Sequence, residues 1–280
     1  MAGESGLYAE VAFNRRPLPL DIHDHPEIEV GLVLSGEEHV EFNDWHLDCG
    51  PGEVWLCGLQ EPHGFAKPAG TTNVVMLFQP EFIGEELLGE VPWLTLFAVP
   101  PAQRPRASSR EVRKRVLGIG QVLRSEIQEA RPAWESAVRL ELLRLLLELT
   151  RDWDLSRLSE TPGHVRVSTL ARVMPAVNLV HSLPWRRVQV GEAAAACSLS
   201  PSRFQGWFRR VMGVSFAAFC LRARLSYAVH QMLNTDRSLA SIAGEAGFAD
   251  DSHLHRHFVR RYACTPAQYR QRGRAARTRQ

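Results

Sequence analysis

Between residues 10 and 80 the apolar positions come in short runs broken by glycine, proline and asparagine. The runs "EVGLVLSG" (29–36), "VEFNDWHL" (40–47), "EVWLCGL" (53–59) and "NVVMLFQP" (73–80) each read as a strand of about five to eight residues. Turn signals separate them at Ser35-Gly36, Asn43-Asp44, Gly50-Pro51-Gly52 and Pro68-Ala69-Gly70. Strands this closely spaced predict a small antiparallel sandwich or barrel. After "VPPAQRPRASS" (99–109) the period lengthens, and residues 110–153 read as two helices split at Pro132. The second carries Val138, Leu142, Leu145 and Leu149 at 4-3-4 spacing, a seam that would pack on the chain itself or on a second copy. The stretch "DLSRLSETPGH" (154–164) is polar and reads as a linker, and everything beyond about residue 167 reads as helical.

Two stretches of that helical region follow one grammar. In "VQVGEAAAACSLSPSRFQGWFRRVMG" (188–213), a short alanine-rich helix runs into a turn, and Ser200 then caps a second helix that begins at Pro201. In "SLASIAGEAGFADDSHLHRHFVRRYACTP" (238–266), the first helix ends at Gly247 and Asp250 caps the second. Each is a helix-turn-helix unit. The stretch between them, residues 216–233, is roughly 27 Å long as a helix, of the order of the ~34 Å between successive major grooves on one face of DNA.

Charge sharpens this picture. The chain has a formal net charge of only +2, yet residues 161–280 hold 18 arginines, no lysine and five acids, while the first 160 residues hold 15 basic and 26 acidic ones. An acidic module joined to a basic one points to a polyanionic partner. The five cysteines are scattered without a C-x-x-C pair, which fits reduced thiols better than a disulfide framework. With no apolar run of membrane-spanning length and no secretory leader pattern, the expected location is the cytoplasm.

Residues of about 170–272 resemble the DNA-binding domain of the AraC/XylS family of bacterial transcription regulators. The segments "LSPSRFQGWFRRVMGVSF" and "SLASIAGEAGFADDSHLHRHFVRRYACTPAQYR" carry the likeness. The second is the more diagnostic, through its Gly-Phe turn, Ser-His-Leu, Phe258, Thr265-Pro266 and Tyr269-Arg270. The resemblance implies that Ser202, Gln205 and Gly206 in the first unit, and Asp251, Ser252, His253, His255 and Arg256 in the second, face DNA bases. Gly206 departs from the pattern, where a long polar or basic residue is common.

Helical geometry agrees with this placement. Leu254, Phe258 and Tyr262 share one face, so Ser252, His253 and Arg256 point the other way. Arg256 would donate to guanine O6 and N7, Ser252 and His253 would meet base edges or phosphate, and Asp251 would accept from cytosine N4 or serve the helix N-terminus. Arg203, Arg209, Arg210, Arg260 and Arg261 are the expected phosphate contacts. A metal held by His253, His255 and His257 is disfavoured, because side chains two apart on a helix point about 200° apart.

The N-terminal region holds His23, His25 and Glu29 in "HDHPEIEVGLVLSG", then His63 in "CGPGEVWLCGLQEPHGF". These stretches resemble the two motifs of the cupin superfamily, a small β-barrel. That resemblance implies a metal or effector pocket at His23, His25, Glu29 and His63. Three imidazoles and a carboxylate suit a divalent transition metal.

The fold class expected is therefore α+β: a cupin-like antiparallel barrel over 1–100, a helical dimerisation region and linker over 101–160, and an all-α DNA-binding domain over 161–280 with units at about 188–213 and 238–262. The expected function is a DNA-binding transcription regulator controlled by a small-molecule effector in the barrel. Its partners would be promoter DNA, a second copy of the chain and, for an activator, RNA polymerase, with no membrane. A metal-dependent cupin enzyme or metal sensor fused to a DNA-binding domain is the alternative, and a ligand-independent architectural DNA binder is a third.

Overall fold

The computed structural model describes residues 6–25, 27–42, 45–59, 61–154, 167–182, 186–262 and 264–277. They fall into two units, one up to Thr169 and one from Leu170. Most of the predicted linker, 155–164, lies outside the described residues.

In the first unit, eight strands form two open antiparallel sheets. They are β1 (Leu7–Phe13), β2 (Leu18–His23), β3 (Ile28–Ser35), β4 (Glu38–Phe42), β5 (His46–Cys49), β6 (Val54–Cys57), β7 (His63–Lys67) and β8 (Thr72–Phe78). One sheet has the order β1-β8-β3-β6 and the other β2-β7-β4-β5. Val33, Val40, Phe42, Trp55, Phe65 and Val75 fill the space between them. The predicted cupin-like barrel is thereby corrected, and with it the fold class. β5 turns through Gly50–Gly52 into β6 and changes sheet, but no ladder joins the edges, so among the described residues neither sheet closes. The apolar and turn signals carried the strands; closure depends on edge pairing, which no local pattern encodes.

A second correction is local. The run "VEFNDWHL" is a hairpin rather than one strand: it holds the end of β4 and the start of β5, with Val40 opposite Leu47. The unit continues through β9 (Leu87–Leu88), β10 (Val91–Pro92) and α1 (Thr95–Ala98) to two long helices, α2 (Arg110–Glu129) and α3 (Trp134–Thr150). Ser109 caps α2, its side chain accepting from Val112 N–H at 3.2 Å.

Strand β3 is buried over seven consecutive residues because both its faces are covered. On one side α2 comes so close at Gly120 that an added Cβ would meet Leu32 Cδ2 at 2.6 Å. On the other, the Trp55 indole occupies the space over Gly31, where a Cβ would lie 2.0 Å from the ring. Gly31→Ala therefore forces a buried tryptophan out of its place. Overpacking of this kind costs roughly 1–3 kcal/mol, so a urea unfolding curve is expected to show the first unit weakened by about that much. An unchanged midpoint would mean the indole has room to shift.

The seam residues Val138, Leu142, Leu145 and Leu149 are buried within the chain, and α3 packs on α2. Of the neighbouring leucines, Leu143 and Leu147 are half-buried and Leu140 is exposed.

The second unit is all helical: α4 (Val167–Ala171, which reaches into it), α5 (Met174–Ser182), α6 (Val190–Ala196), α7 (Pro201–Met212), α8 (Phe216–Asn234), α9 (Leu239–Glu245), α10 (Asp251–Tyr262) and α11 (Pro266–Arg277). α8 is its spine, touching α5, α7, α9, α10 and α11. Among the described residues, no helix of the chain is long and apolar enough to cross a membrane.

Candidate nucleic-acid interface and metal cluster

The first helix pair is α6 and α7. Cys197 caps the C-terminus of α6, and Ser198 takes a left-handed φ of 54° to turn the chain. The Ser200 side chain then accepts from Arg203 N–H at 3.4 Å, and Pro201 opens α7, whose missing N–H is no loss at that position. Phe204, Phe208 and Val211 form the buried stripe of α7, and the Phe204 and Phe208 rings meet Phe216 at 5.1 Å. Ser202, Arg203, Gln205, Gly206, Arg209 and Arg210 are all exposed. Trp207, half-buried, lies under the Arg172 guanidinium at 5.0 Å.

The second pair, α9 and α10, is built the same way. Ser238 caps α9 by accepting from Ser241 N–H at 3.1 Å. Gly247 adopts φ 71°, which lets Phe248 N–H reach Ala243 C=O at 2.9 Å and sends the Phe248 ring inward. Asp250 then accepts from His253 N–H at 2.6 Å as the cap of α10. Leu254 and Phe258 are buried; Asp251, Ser252, His255, Arg256 and Arg260 are exposed, and Arg261 is half-buried. α11 closes the unit through a reciprocal cap, Thr265 N–H to Gln268 Oε1 at 2.9 Å and Gln268 N–H to Thr265 Oγ1 at 3.2 Å. Tyr269 stacks edge-on against Phe258 at 5.5 Å.

His253 differs from its expected place on the polar face. It is half-buried, its Nδ1 accepts from Ala249 N–H at 3.3 Å, and its Nε2 lies 3.0 Å from His257 Nε2. The alternating histidines thus divide: His253 and His257 engage each other, and His255 stays in solvent. Burial, and the positive charge of His253, Arg224, Arg256 and Arg260, push the His257 imidazole below its usual range.

A family model described as a helix-turn-helix domain matches residues 193–272. The C-terminal unit thus contains a helix-turn-helix domain. Over 68 residues, 24% of this chain and 24% of the relative, the chain is 41% identical to the HTH-type transcriptional regulator ExsA of Pseudomonas aeruginosa. Over 96% of this chain and 93% of the relative, it is 22% identical to the HTH-type transcriptional activator RhaR of Mannheimia succiniciproducens. ToxT of Vibrio cholerae O395 superposes over 96% of this chain and 98% of that one, with a TM-score of 0.51 at 12% identity, a likeness of fold alone. The relatives named here are transcription regulators, which is consistent with a non-catalytic role.

The first unit carries a different constellation. His23 ends β2, directly opposite His63 at the start of β7, so both imidazoles arrive at one end of the sheet. Glu29 joins them from β3. Its Oε2 lies 2.8 Å from His25 Nε2 and 2.8 Å from His63 Nε2. One donor atom from each of His23, His25, Glu29 and His63 falls within 4.8 Å of the others. The sequence spacing thus assembled all four, although no barrel surrounds them. His63 and Glu29 are buried, His25 is half-buried and His23 is exposed, which leaves the cluster open on one side.

The proton on His63 is fixed by its surroundings. Its Nδ1 faces the Glu61 carbonyl at 2.7 Å, and a carbonyl only accepts, so Nδ1 carries a proton. A proton on Nε2 as well lets the ring donate to Glu29, and a cation between Nε2 and the carboxylate would take the place of that proton. Burial favours the neutral acid at Glu29, but hydrogen bonds from His25 and His63, and their charge, outweigh it and hold Glu29 at about 2. Burial likewise opposes the charged form of His25, and Glu29 and Glu27 overcome it and raise its pKa.

The Glu61 carbonyl is itself braced in a way the sequence did not reveal. Arg104, buried, grips the Glu61 carboxylate with Nη1 at 2.6 Å and Nη2 at 2.8 Å, and donates through Nε to Val99 C=O at 3.1 Å. Gly58 N–H also donates to Glu61 at 2.9 Å.

Proposed function

We propose that the chain is a sequence-specific DNA-binding transcription regulator in which α7 and α10 each read one major groove. The observation that carries this is the matched construction of those two helices. Each buries an apolar stripe against the α8 spine and leaves its polar stripe in solvent beside arginines. Ser202, Gln205 and Gly206 then face bases from α7, and Asp251, Ser252, His255 and Arg256 from α10. His253 contributes from the edge of that face. Arg203, Arg209, Arg210, Arg260 and Arg261 hold phosphates.

Two variants test these roles together. Arg256→Ala is expected to cost roughly 1–3 kcal/mol on the cognate site and much less on random DNA. Arg209→Ala is expected to weaken both alike and to flatten the salt dependence by about one charge. Equal losses on both DNAs for Arg256→Ala, or an unchanged salt slope for Arg209→Ala, would reverse the assignments.

The first unit receives the signal in this reading. His23, His25, Glu29 and His63 fit a divalent transition metal, since three imidazoles and one carboxylate match zinc, nickel, iron or copper. The Glu61 carbonyl on His63 supplies the second contact that orients a ligating imidazole. Bound there, the ion would act as a regulatory or structural ligand of the unit. Elemental analysis of untagged protein tests it: about one metal per chain supports the site, and a trace amount removes it. A separate cavity of about 670 Å³, lined by Leu18, Glu38, His39, Asp48, Cys49 and Lys67, offers space for an organic effector. ToxT, similar in fold, is described with an unsaturated fatty acid bound, which favours small-molecule control. Pairing of two copies, and contact with RNA polymerase where the chain activates, complete the proposal.

A further inference from the structure

The DNA-binding domain contains a cavity of its own, of about 560 Å³. Three segments wall it: residues 187–190 leading into α6, the first half of α8, and the turn from Gly247 into α10. It therefore touches both helix-turn-helix units and the spine that joins them.

Its chemistry is one-sided. The ionisable residues among the described lining are Arg187, Arg224, His253, His257 and Cys220, with no carboxylate. Burial pushes the Cys220 thiol up to about 11, so it brings no negative charge at neutral pH. Arg224 is the central group. Its Nη1 donates to Gly247 C=O at 2.8 Å and its Cζ stands 5.0 Å over the Phe248 ring. Its Nε is buried with no hydrogen-bond partner among the described residues. The guanidinium pKa is lowered, first by burial and also by the charge of Arg187. Two arginines in a partly buried wall with no carboxylate beside them leave an uncompensated charge, and an oxyanion in the cavity would offset it.

The remaining walls are apolar: Val188, Val190, Phe216, Leu221 and Phe248. The volume lies in the range of small-molecule sites, roughly 300–1,000 Å³, far more than one phosphate oxygen needs. We propose that this cavity binds a small organic carboxylate with an apolar body, its carboxylate on Arg187 and Arg224 and its body against Phe216 and Phe248. Because His253 forms part of the wall and stands at the edge of the DNA-facing surface of α10, occupancy lowers DNA affinity.

Indole-3-acetate and its uncharged analogue 2-(indol-3-yl)ethanol are suitable probes, titrated calorimetrically into the full chain. The carboxylate is expected to bind at least tenfold more tightly than the alcohol, and to weaken DNA binding at least threefold at saturation. Arg187→Gln and Arg224→Gln are each expected to weaken carboxylate binding about tenfold. Arg187 is exposed, so its replacement leaves the fold intact if Arg224→Gln does not. Equal binding of acid and alcohol, undiminished binding to Arg187→Gln, or bound carboxylate without effect on DNA affinity would each overturn the proposal. If indole-3-acetate fails to bind while Arg187→Gln flattens the salt dependence of DNA binding, the arginine serves a DNA phosphate instead, which also overturns it. Specific DNA binding by the unliganded chain is measured in the same experiment and stands or falls separately.

Discussion

Glu29→Gln is expected to lower the affinity of the first unit for a divalent transition metal by more than about 100-fold. The carboxylate sits at the centre of the cluster, its Oε2 shared by His25 and His63 at 2.8 Å each. The amide keeps nearly the same shape but removes the only negative charge among the four donors. Loss of a mere supporting contact typically costs a metal site 10–100-fold, and loss of a ligand costs more. Calorimetric titration of zinc or nickel into metal-stripped protein reads the change. His39→Gln, at a histidine outside the cluster that pairs with Asp48 at 2.6 Å, is the control and is expected to leave the affinity as it was. Should Glu29→Gln bind metal as the parent does, the ion is held elsewhere.

Arg104→Ala is expected to destabilise the first unit by roughly 3–5 kcal/mol, the usual cost of breaking a buried ion pair by removing one partner. Three losses combine. The Glu61 carboxylate loses two short hydrogen bonds, and the Val99 and Phe97 carbonyls each lose a donor. The segment that presents the Glu61 carbonyl to His63 loses its brace. Urea unfolding followed at the tryptophans of the first unit measures this. A loss below about 1 kcal/mol would show that Arg104 is accommodated rather than required. Arg104→Lys keeps a charge but cannot match the two-point grip on Glu61, so it is expected to recover only part of the loss.

The second unit was legible because its signals are local. Ser200-Pro201, Gly247 and Asp250 are cap and turn residues whose chemistry acts within four positions, and each stands where the spacing placed it. The apolar stripes Phe204/Phe208 and Leu254/Phe258 follow directly from the 3.6-residue period. What that period does not give is the rotamer of a half-buried polar side chain. His253 turned towards His257 because Ala249 N–H offered its Nδ1 a partner.

In the first unit the strand runs were visible, but their assembly was not. Whether the two sheets close depends on edges that never meet in sequence, and the resemblance to a barrel family did not settle it. The four-residue cluster was nevertheless found through the motif spacing: His23 ends β2 and pairs across from His63, while His25, two residues past the end of the strand, reaches Glu29. The Arg104 brace had no local signal. Its partner lies 43 residues earlier in the chain, and one arginine among many carries no mark of burial.

The central claim is that two helices of one domain, α7 and α10, read two stretches of the same duplex. Selection of bound sequences from a random DNA pool, run with the parent chain and with Arg256→Ala and Gln205→Ala, tests it most directly. The account predicts two preferred segments whose centres lie about 10–10.5 base pairs apart, one relaxed by each substitution. A single preferred segment, or a pool enriched without any preference, would contradict it.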